Sequence, residues 1–306
     1  MSDTGSAKVQ ATTIGEEAIP PVAVLPDPSS LFLNRSKRLT VLAPGHQLEP
    51  YLNFLAAVTR AQHDIQSDLP AVTLPSDELI ARSIEHGMPP LPRSSFQSDE
   101  VAQITAIRLF ERLAAAGLST EAGAAIESLR AMAGHDIRIM LSGVFNKPAA
   151  QEEIAQRVFL LAALQVHFTR MAAKLDAERF RPSDNDGTCP TCGSPPVAST
   201  VVNWPKAHNT RFCTCSLCAT MWYVVRVKCL LCSSTESVTF RQIDGERDTV
   251  KAETCDKCRG YVKILYQVKD PALEPVADDV ATLGLDMLMV GEGWRRGGEN
   301  LFLIGY

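Results

Sequence analysis

A chain of 306 residues that is 45% hydrophobic and 21% charged has room for two domains and the apolar content of a globular protein with a real core. Its formal net charge of −5 points to no polyanionic partner. No apolar run reaches the roughly 18 residues needed to span a bilayer, and the first six residues carry neither the basic nor the apolar region of a signal peptide, so the expectation is a cytoplasmic protein without membrane insertion.

Residues 1–25 read as a disordered N-terminus, small and polar up to Ile19-Pro20-Pro21. Residues 26–184 read as an all-α domain. A short amphipathic helix is expected over Leu31–Leu39 and is broken by Pro44-Gly45-His46. A second runs from Leu48 to about Ile65, with Tyr51, Phe54, Leu55, Val58 and Ile65 on one face. A short helix near 77–86 precedes the irregular Pro89-Pro90-Leu91-Pro92. Val101, Ile104, Ile107, Phe110 and Leu113 form a further stripe, and the alanine-rich stretch 121–132 is helical. The longest helix opens at Lys147-Pro148, where the missing proline N–H costs nothing. It turns Ile154, Val158, Leu161, Phe168 and Leu175 to the core. These stripes predict a helical core separate from the rest of the chain.

Residues 182–187 read as a linker. Between Cys189 and Cys258 lie all nine cysteines, eight of them in Cys-x-x-Cys pairs: Cys189/Cys192, Cys215/Cys218, Cys229/Cys232 and Cys255/Cys258. Adding 40 to the first four numbers gives the last four, so one unit is used twice. Two thiolates three positions apart on a tight turn can face one ion, and two such turns supply a tetrahedron of sulfur. The reading is two tandem rubredoxin-like, zinc-ribbon-like modules, 185–228 and 229–270, each holding one metal ion. Spacing alone leaves iron and zinc open. Val197–Val202 and its counterpart 237–242 read as strands, as do 221–227 and 261–268. Disulfides do not suit a cytosolic chain, and thioredoxin-like pairs come singly beside a βαβ pattern absent here. Cys213, the ninth cysteine, reads as a small buried residue rather than a substitute ligand or a labile thiol.

Residues 271–306 read as a C-terminal helix and tail. Asp278 and Asp279 fall in the first turn, and Val276, Val280, Leu283, Met287 and Val290 form its stripe, which needs a partner such as the α-domain. The tail Gly293–Phe302 fits either a partner-binding segment or a docked C-terminus. Among the histidines, His167 in the long helix reads as a core residue, and His208 between two cysteine turns as a solvated one.

Three functions fit such a chain: a metal-binding maturation protein, a nucleic-acid-binding zinc ribbon and a rubredoxin-like electron-transfer protein. Cys189–Cys258 carries eight Lys/Arg against six Asp/Glu, and eight thiolates balanced by two ferric ions leave it close to neutral. Nucleic-acid binders need a basic footprint, which this region lacks. The chain contains no Gly-x-Ser-x-Gly, phosphate loop or His-Glu-x-x-His, and a four-thiolate site has no open position for substrate, so no enzyme is expected.

Several strings resemble those of the FdhE family, the formate dehydrogenase accessory proteins. They are Cys189-Pro190-Thr191-Cys192-Gly193-Ser194-Pro195-Pro196-Val197, Val225-Arg226-Val227-Lys228-Cys229, Lys251-Ala252-Glu253 ahead of Cys255, and Lys263-Ile264-Leu265-Tyr266-Gln267. Asp270-Pro271 and Val276-Ala277-Asp278-Asp279-Val280-Ala281-Thr282-Leu283 fit as well. So does an early run through Leu39, Leu42-Ala43, Gly45-His46, Leu48 and Tyr51-Leu52. Cys213 departs from the pattern. The resemblance implies a cytoplasmic protein needed for active respiratory formate dehydrogenases. Their catalytic subunits carry molybdenum, selenocysteine or cysteine, and an iron–sulfur cluster. It also implies contact with that catalytic subunit before export, and iron, rather than zinc, bound through the cysteine pairs. The oligomeric state is not implied.

Overall fold

The computed structural model describes residues 19–146, 150, 153–182, 187–205 and 207–304. Helices come first: α1 Leu31–Leu42, α2 Glu49–Asp64, α3 Asp77–Glu85, α4 Glu100–Ala114, α5 Thr120–Arg130, α6 Gly134–Gly143 and α7 Ile154–Ala172. Side chains that satisfy the first free amides fix three of their starts: Ser76 accepts from Leu79 N, Asp99 from Ala102 N and Ser119 from Ala122 N. Helix α6 escaped the sequence reading, and the expected start of α7 at Pro148 lies outside the described residues.

The α7 helix departs from expectation in an instructive way. From Val158 to Thr169 every residue is buried, so it carries no single stripe. A helix apolar on all sides must be enclosed on all sides. Helices α2, α4, α5 and α6 pack against it, and the sheet closes over it. Gln165 Nε2 donates to Ser216 O at 3.0 Å, and Thr169 Oγ1 to Cys218 O at 3.5 Å.

The strands are β1 Ala23–Val24, β2 Pro196–Trp204, β3 Ala207–Cys215, β4 Met221–Tyr223, β5 Val238–Arg241, β6 Val250–Cys255, β7 Gly260–Tyr266 and β8 Arg295–Arg296. They form one sheet in the order β1-β4-β3-β2-β7-β6-β5, with β8 beside β7. The 40-residue repeat is visible in it: β2, β3 and β4 correspond to β5, β6 and β7. The two copies meet head to tail through a parallel pair, Ser199↔Ile264, Thr200↔Leu265 and Val201↔Tyr266.

Two expectations are corrected. Residues 1–25 are not disordered throughout, because Ala23 and Val24 pair with Trp222 and Met221 and cover the edge of β4. Nor is the helical core separate: one continuous cluster of buried side chains runs from Phe32 and Leu52 through α7 to Cys189, Val197, Cys213, Cys218 and Trp222, and on to Val276 and Phe302. The first module supplies a wall of the helical core, so the two cannot be parted without exposing both.

The C-terminal helix is two helices, α8 Pro275–Ala281 and α9 Leu283–Gly291, broken at Thr282. The break rotates the second stripe: Leu283, Leu285 and Met289 are buried, whereas Met287 and Val290 are 66% and 59% exposed. Helix α8 packs on α1, with Arg35 Nε 3.0 Å from Glu274 Oε1 and Arg38 Nη2 2.6 Å from Asp278 Oδ1. Asp279 is fully buried between Lys263 and Arg296. The two aspartates therefore act as ion-pair partners, beyond favouring a helix start. The tail is docked, with Trp294, Leu301 and Phe302 buried and the Arg259 guanidinium 3.9 Å above the Trp294 ring. No described helix is long and apolar enough to cross a membrane.

Candidate metal centres

The four Cys-x-x-Cys turns share one local geometry. In each, the residue after the second cysteine adopts a left-handed backbone: Gly193 at φ +74°, Ala219 at +58°, Ser233 at +59° and Arg259 at +54°. The reversal lets its amide turn back on the first cysteine's carbonyl, 2.9 Å for Gly193 on Cys189, 2.9 Å for Ser233 on Cys229 and 2.8 Å for Arg259 on Cys255. Three of the four positions carry a side chain where glycine is favoured. The fold holds them there because both sulfurs of the turn then point to one side.

Two groups of four sulfurs result, Cys189/Cys192/Cys215/Cys218 and Cys229/Cys232/Cys255/Cys258, each with all sulfurs within 4.8 Å of one another. Each group pairs the two turns of one copy. Across the first, Cys189 and Cys218 are 3.6 Å apart and Cys192 and Cys215 3.4 Å. Across the second, both cross-turn separations are 3.7 Å. Four sulfurs at about 2.3 Å from a central ion sit about 3.8 Å apart at the corners of a tetrahedron, so both groups fit a zinc or iron ion.

Electrostatics make the same point. Burial pushes the Cys189 and Cys218 thiols well above their usual value, while Cys192 is drawn well below it, against burial, by hydrogen bonds from Cys189, Cys215, Cys218 and Ser194. Burial likewise raises Cys229 to about 12, whereas the Ser234 amide lowers Cys232. Four adjacent sulfurs resist ionising together, and a cation at their centre removes that resistance.

The two groups differ in their surroundings. In the first, all four cysteines are buried, and the hydroxyls of Ser194 and Thr220 lie 3.2 Å from Cys192 Sγ and Cys218 Sγ. Thr220 Oγ1 donates in turn to Thr191 Oγ1 at 3.1 Å. The Leu217 and Cys218 amides lie 3.4 and 3.3 Å from Cys215 Sγ. Helical-domain residues hold the turns from behind: Leu91 N donates to Thr191 O and Arg93 N to Cys192 O, both at 2.9 Å. Glu299 Oε2, from the tail, bridges Arg93 Nη1 at 2.6 Å and Ser216 Oγ at 3.3 Å. In the second group Cys232 and Cys258 are only partly buried. Ser234, the counterpart of Ser194, donates to Glu236 O at 3.0 Å, and Gly260 stands where the first copy has Thr220. Aligning the copies at their 40-residue offset would have revealed this difference from the sequence.

Cys213 belongs to neither group. It is fully buried on β3, opposite Ser199 and Trp222, as expected of a small core residue. His208 is exposed and pairs with Asn203 Oδ1 at 2.6 Å, away from both groups. His167 is 1% exposed among Phe96 and Phe168.

Three family models match in succession: "FdhE, N-terminal" over residues 20–185, "FdhE, central domain" over 188–226 and "FdhE, C-terminal domain" over 227–303. The chain belongs to the FdhE family. An FdhE homolog from Rhizobium meliloti (strain 1021) is 38% identical over 96% of this chain and 97% of its own length. One from Serratia proteamaculans (strain 568) is 35% identical over 98% and 95%. The crystal structure of the FdhE protein from Pseudomonas aeruginosa superposes with a TM-score of 0.80 at 32% identity, covering 94% of this chain and 99% of that one. Helices, then a sheet bearing two four-cysteine groups, then C-terminal helices make up this FdhE chain, matching the expected fold class.

Proposed function

We propose that this FdhE chain is an accessory protein of formate dehydrogenase. It acts by binding that enzyme's catalytic subunit in the cytoplasm and holds one metal ion, iron in preference to zinc, in each four-cysteine centre. The observation that carries the reading is that each copy of the repeat gathers four sulfurs at tetrahedral spacing. Four thiolates fill the coordination of such an ion, so no position is left for a substrate. Membership in the FdhE family supplies the link to formate dehydrogenase, and the near balance of charge around the centres disfavours a nucleic-acid partner.

The residues fit the cation in charge and geometry. Cys189, Cys192, Cys215 and Cys218 would hold the first ion, and Cys229, Cys232, Cys255 and Cys258 the second. When bound, iron supplies a one-electron couple that zinc lacks. The protein's own part is to orient the sulfurs, to exclude water from the first centre and to present the second near the surface.

Metal analysis with a visible spectrum, on protein purified without oxygen, tests the metal assignment. The expectation is two irons per chain with thiolate-to-iron absorption; two colourless zinc ions overturn the preference for iron. An anaerobic pull-down with the formate dehydrogenase catalytic subunit tests the partner. Failure to capture it overturns the accessory reading and leaves electron transfer as the next function to examine, through reversible bleaching by a reductant.

A further inference from the structure

We infer that the two centres have different tasks: the first is a structural metal site, and the second is a ligand-exchange site whose ion accepts a thiolate from another molecule. The inference rests on the metal reading above and goes beyond it.

Three differences carry it. The first is access. Both turns of the first centre are sealed by the helical domain, through Gln165 on Ser216 O, Thr169 on Cys218 O and Arg93 N on Cys192 O. The turns of the second are bordered by exposed Ser233, Glu236, Asp256, Lys257 and Arg259, and Cys232 and Cys258 are themselves partly open. An incoming sulfur can replace one of the four only by coming up to the centre as a cysteine Sγ leaves it, which requires such an opening.

The second difference is the clasp on the sulfurs. The hydroxyls of Ser194 and Thr220 lie 3.2 Å from Cys192 Sγ and Cys218 Sγ, and once these are thiolates each hydroxyl can turn its proton onto the sulfur, Thr220 then accepting from Thr191 in place of donating to it; so held, the sulfurs are poor leaving groups toward protons. In the second centre no hydroxyl takes this part: Ser234 Oγ is turned to Glu236 O and Gly260 has no side chain, so Cys232 and Cys258 keep only the backbone donors Ser234 N and Gly260 N. A Cβ at Gly260 would lie 2.3 Å from Leu231 Cδ1 and 3.4 Å from Cys258 Sγ, so close packing keeps a Thr220-like clasp from that position.

The third is charge. Cys218 lies between Leu217 and Ala219, whereas Cys258 lies between Lys257 and Arg259. With Glu236 and Asp256 bordering the same turns, this mouth is balanced in sign but charged and hydrated, and it admits a polar ligand where apolar Leu217 and Ala219 exclude one. The step balances without an oxidant. With an ion held by these four cysteines, an external thiol would take the place of the Sγ of Cys232 or Cys258, one metal–sulfur bond forming as the other breaks, and the proton of the external thiol would pass through water to the departing Sγ. Four sulfurs remain around the ion, and its oxidation state is unchanged.

The test uses the full chain loaded with zinc, a colorimetric chelator as reporter and 2-mercaptoethanol as the external thiol. One equivalent per chain is expected to leave at least about tenfold faster than the other, at a rate that rises with thiol concentration. N-ethylmaleimide added after the fast phase, followed by mass spectrometry, is expected to label Cys229, Cys232, Cys255 and Cys258 and to spare the first four. The labelling needs no variant, so misfolding cannot obscure the result. Release of both ions in one phase, a fast phase indifferent to thiol, or label on Cys189 and Cys192 overturns the exchange site. A chain that takes up fewer than two ions overturns the metal reading beneath it.

Discussion

Arg211 in the first module and Glu253 in the second form an ion pair 2.9 Å long with side chains 0% and 4% exposed. It crosses the junction of the repeat, from β3 to β6. Arg211 Nη1 also faces the carbonyls of Val225, Arg226 and Lys228 at 3.4–3.5 Å, along the segment that leads into Cys229. One guanidinium therefore ties the first module to the entry of the second. The repeat does not provide this pair: at the 40-residue offset Arg211 corresponds to Lys251, and Glu253 to Cys213. The ninth cysteine thus stands where the second copy keeps a charge.

Removing one partner alone leaves a buried, uncompensated charge. Glu253→Ala is expected to cost about 3–5 kcal/mol. Burial already pushes the Glu253 carboxyl above its usual range, against the pull of Arg211, so the pair fixes the junction more than it stabilises it. The double variant R211M/E253L should recover most of the loss. Urea unfolding of the metal-loaded protein measures both. If the double variant is as unstable as the single, the uncompensated charge is not the cause.

The two centres should respond unequally to cysteine loss. C189S/C192S removes ligands inside the shared core, next to Val197, Cys213 and α7. Circular dichroism at the helical band is expected to show the whole chain melting at least about 10 °C lower, because metal-binding energy is here part of the folding energy of the helices too. C232S/C258S opens a peripheral centre and should leave the helical transition within a few degrees of the parent. Equal shifts in the two variants would mean that the second centre also supports the helical core.

The sequence shows the units of this fold more clearly than their joints. Helical periodicity locates α1, α2 and α4, alanine content locates α5, and the cysteine spacing locates both sulfur groups, because each signal is local or repeats at a fixed offset. The enclosure of α7 depends on residues far along the chain, such as Ser216, 51 positions beyond Gln165, and leaves only an unusually apolar helix as its trace. The break at Thr282 has no proline or glycine in its own position to announce it; Gly284 lies inside α9. The Arg211–Glu253 pair joins residues 42 positions apart, and charge spacing alone does not single it out.

The left-handed positions after each cysteine pair give a test in both directions. Ser233→Gly removes the steric penalty of a side chain at φ +59°, which outweighs the added freedom of the unfolded chain, and should stabilise by about 0.5–1 kcal/mol. Gly193→Ala imposes that penalty at φ +74° and brings a Cβ within 3.3 Å of Pro89 Cγ. It should destabilise by about 1–2 kcal/mol. Chemical denaturation of the metal-loaded variants measures both, and matching signs would sink the argument.

His167 gives the last prediction. It is 1% exposed, and neither ring nitrogen has a hydrogen bond. Asp99 Oδ1 lies 3.8 Å from Nε2, with Phe96 and Phe168 against the ring. Burial holds its pKa down to about 4; Asp99 pulls it up and Arg170 pushes it further down, but neither outweighs the loss of water. The unfolded chain takes up its proton near pH 6.5 and the folded chain does not until about 4. Stability from this site is therefore intact above about pH 6.5 and is lost as the pH falls toward 4. Between pH 7 and pH 5.5 the loss comes to about 1 kcal/mol. His167→Leu should abolish this part of the acid sensitivity while leaving stability at pH 7 unchanged or about 1 kcal/mol higher, since two unpaired polar atoms leave the core. Comparing urea midpoints of the variant and the parent at the two pH values cancels any effect of acid on the metal centres, because both chains carry them. An unchanged pH slope in the variant would show that His167 is not the group responsible.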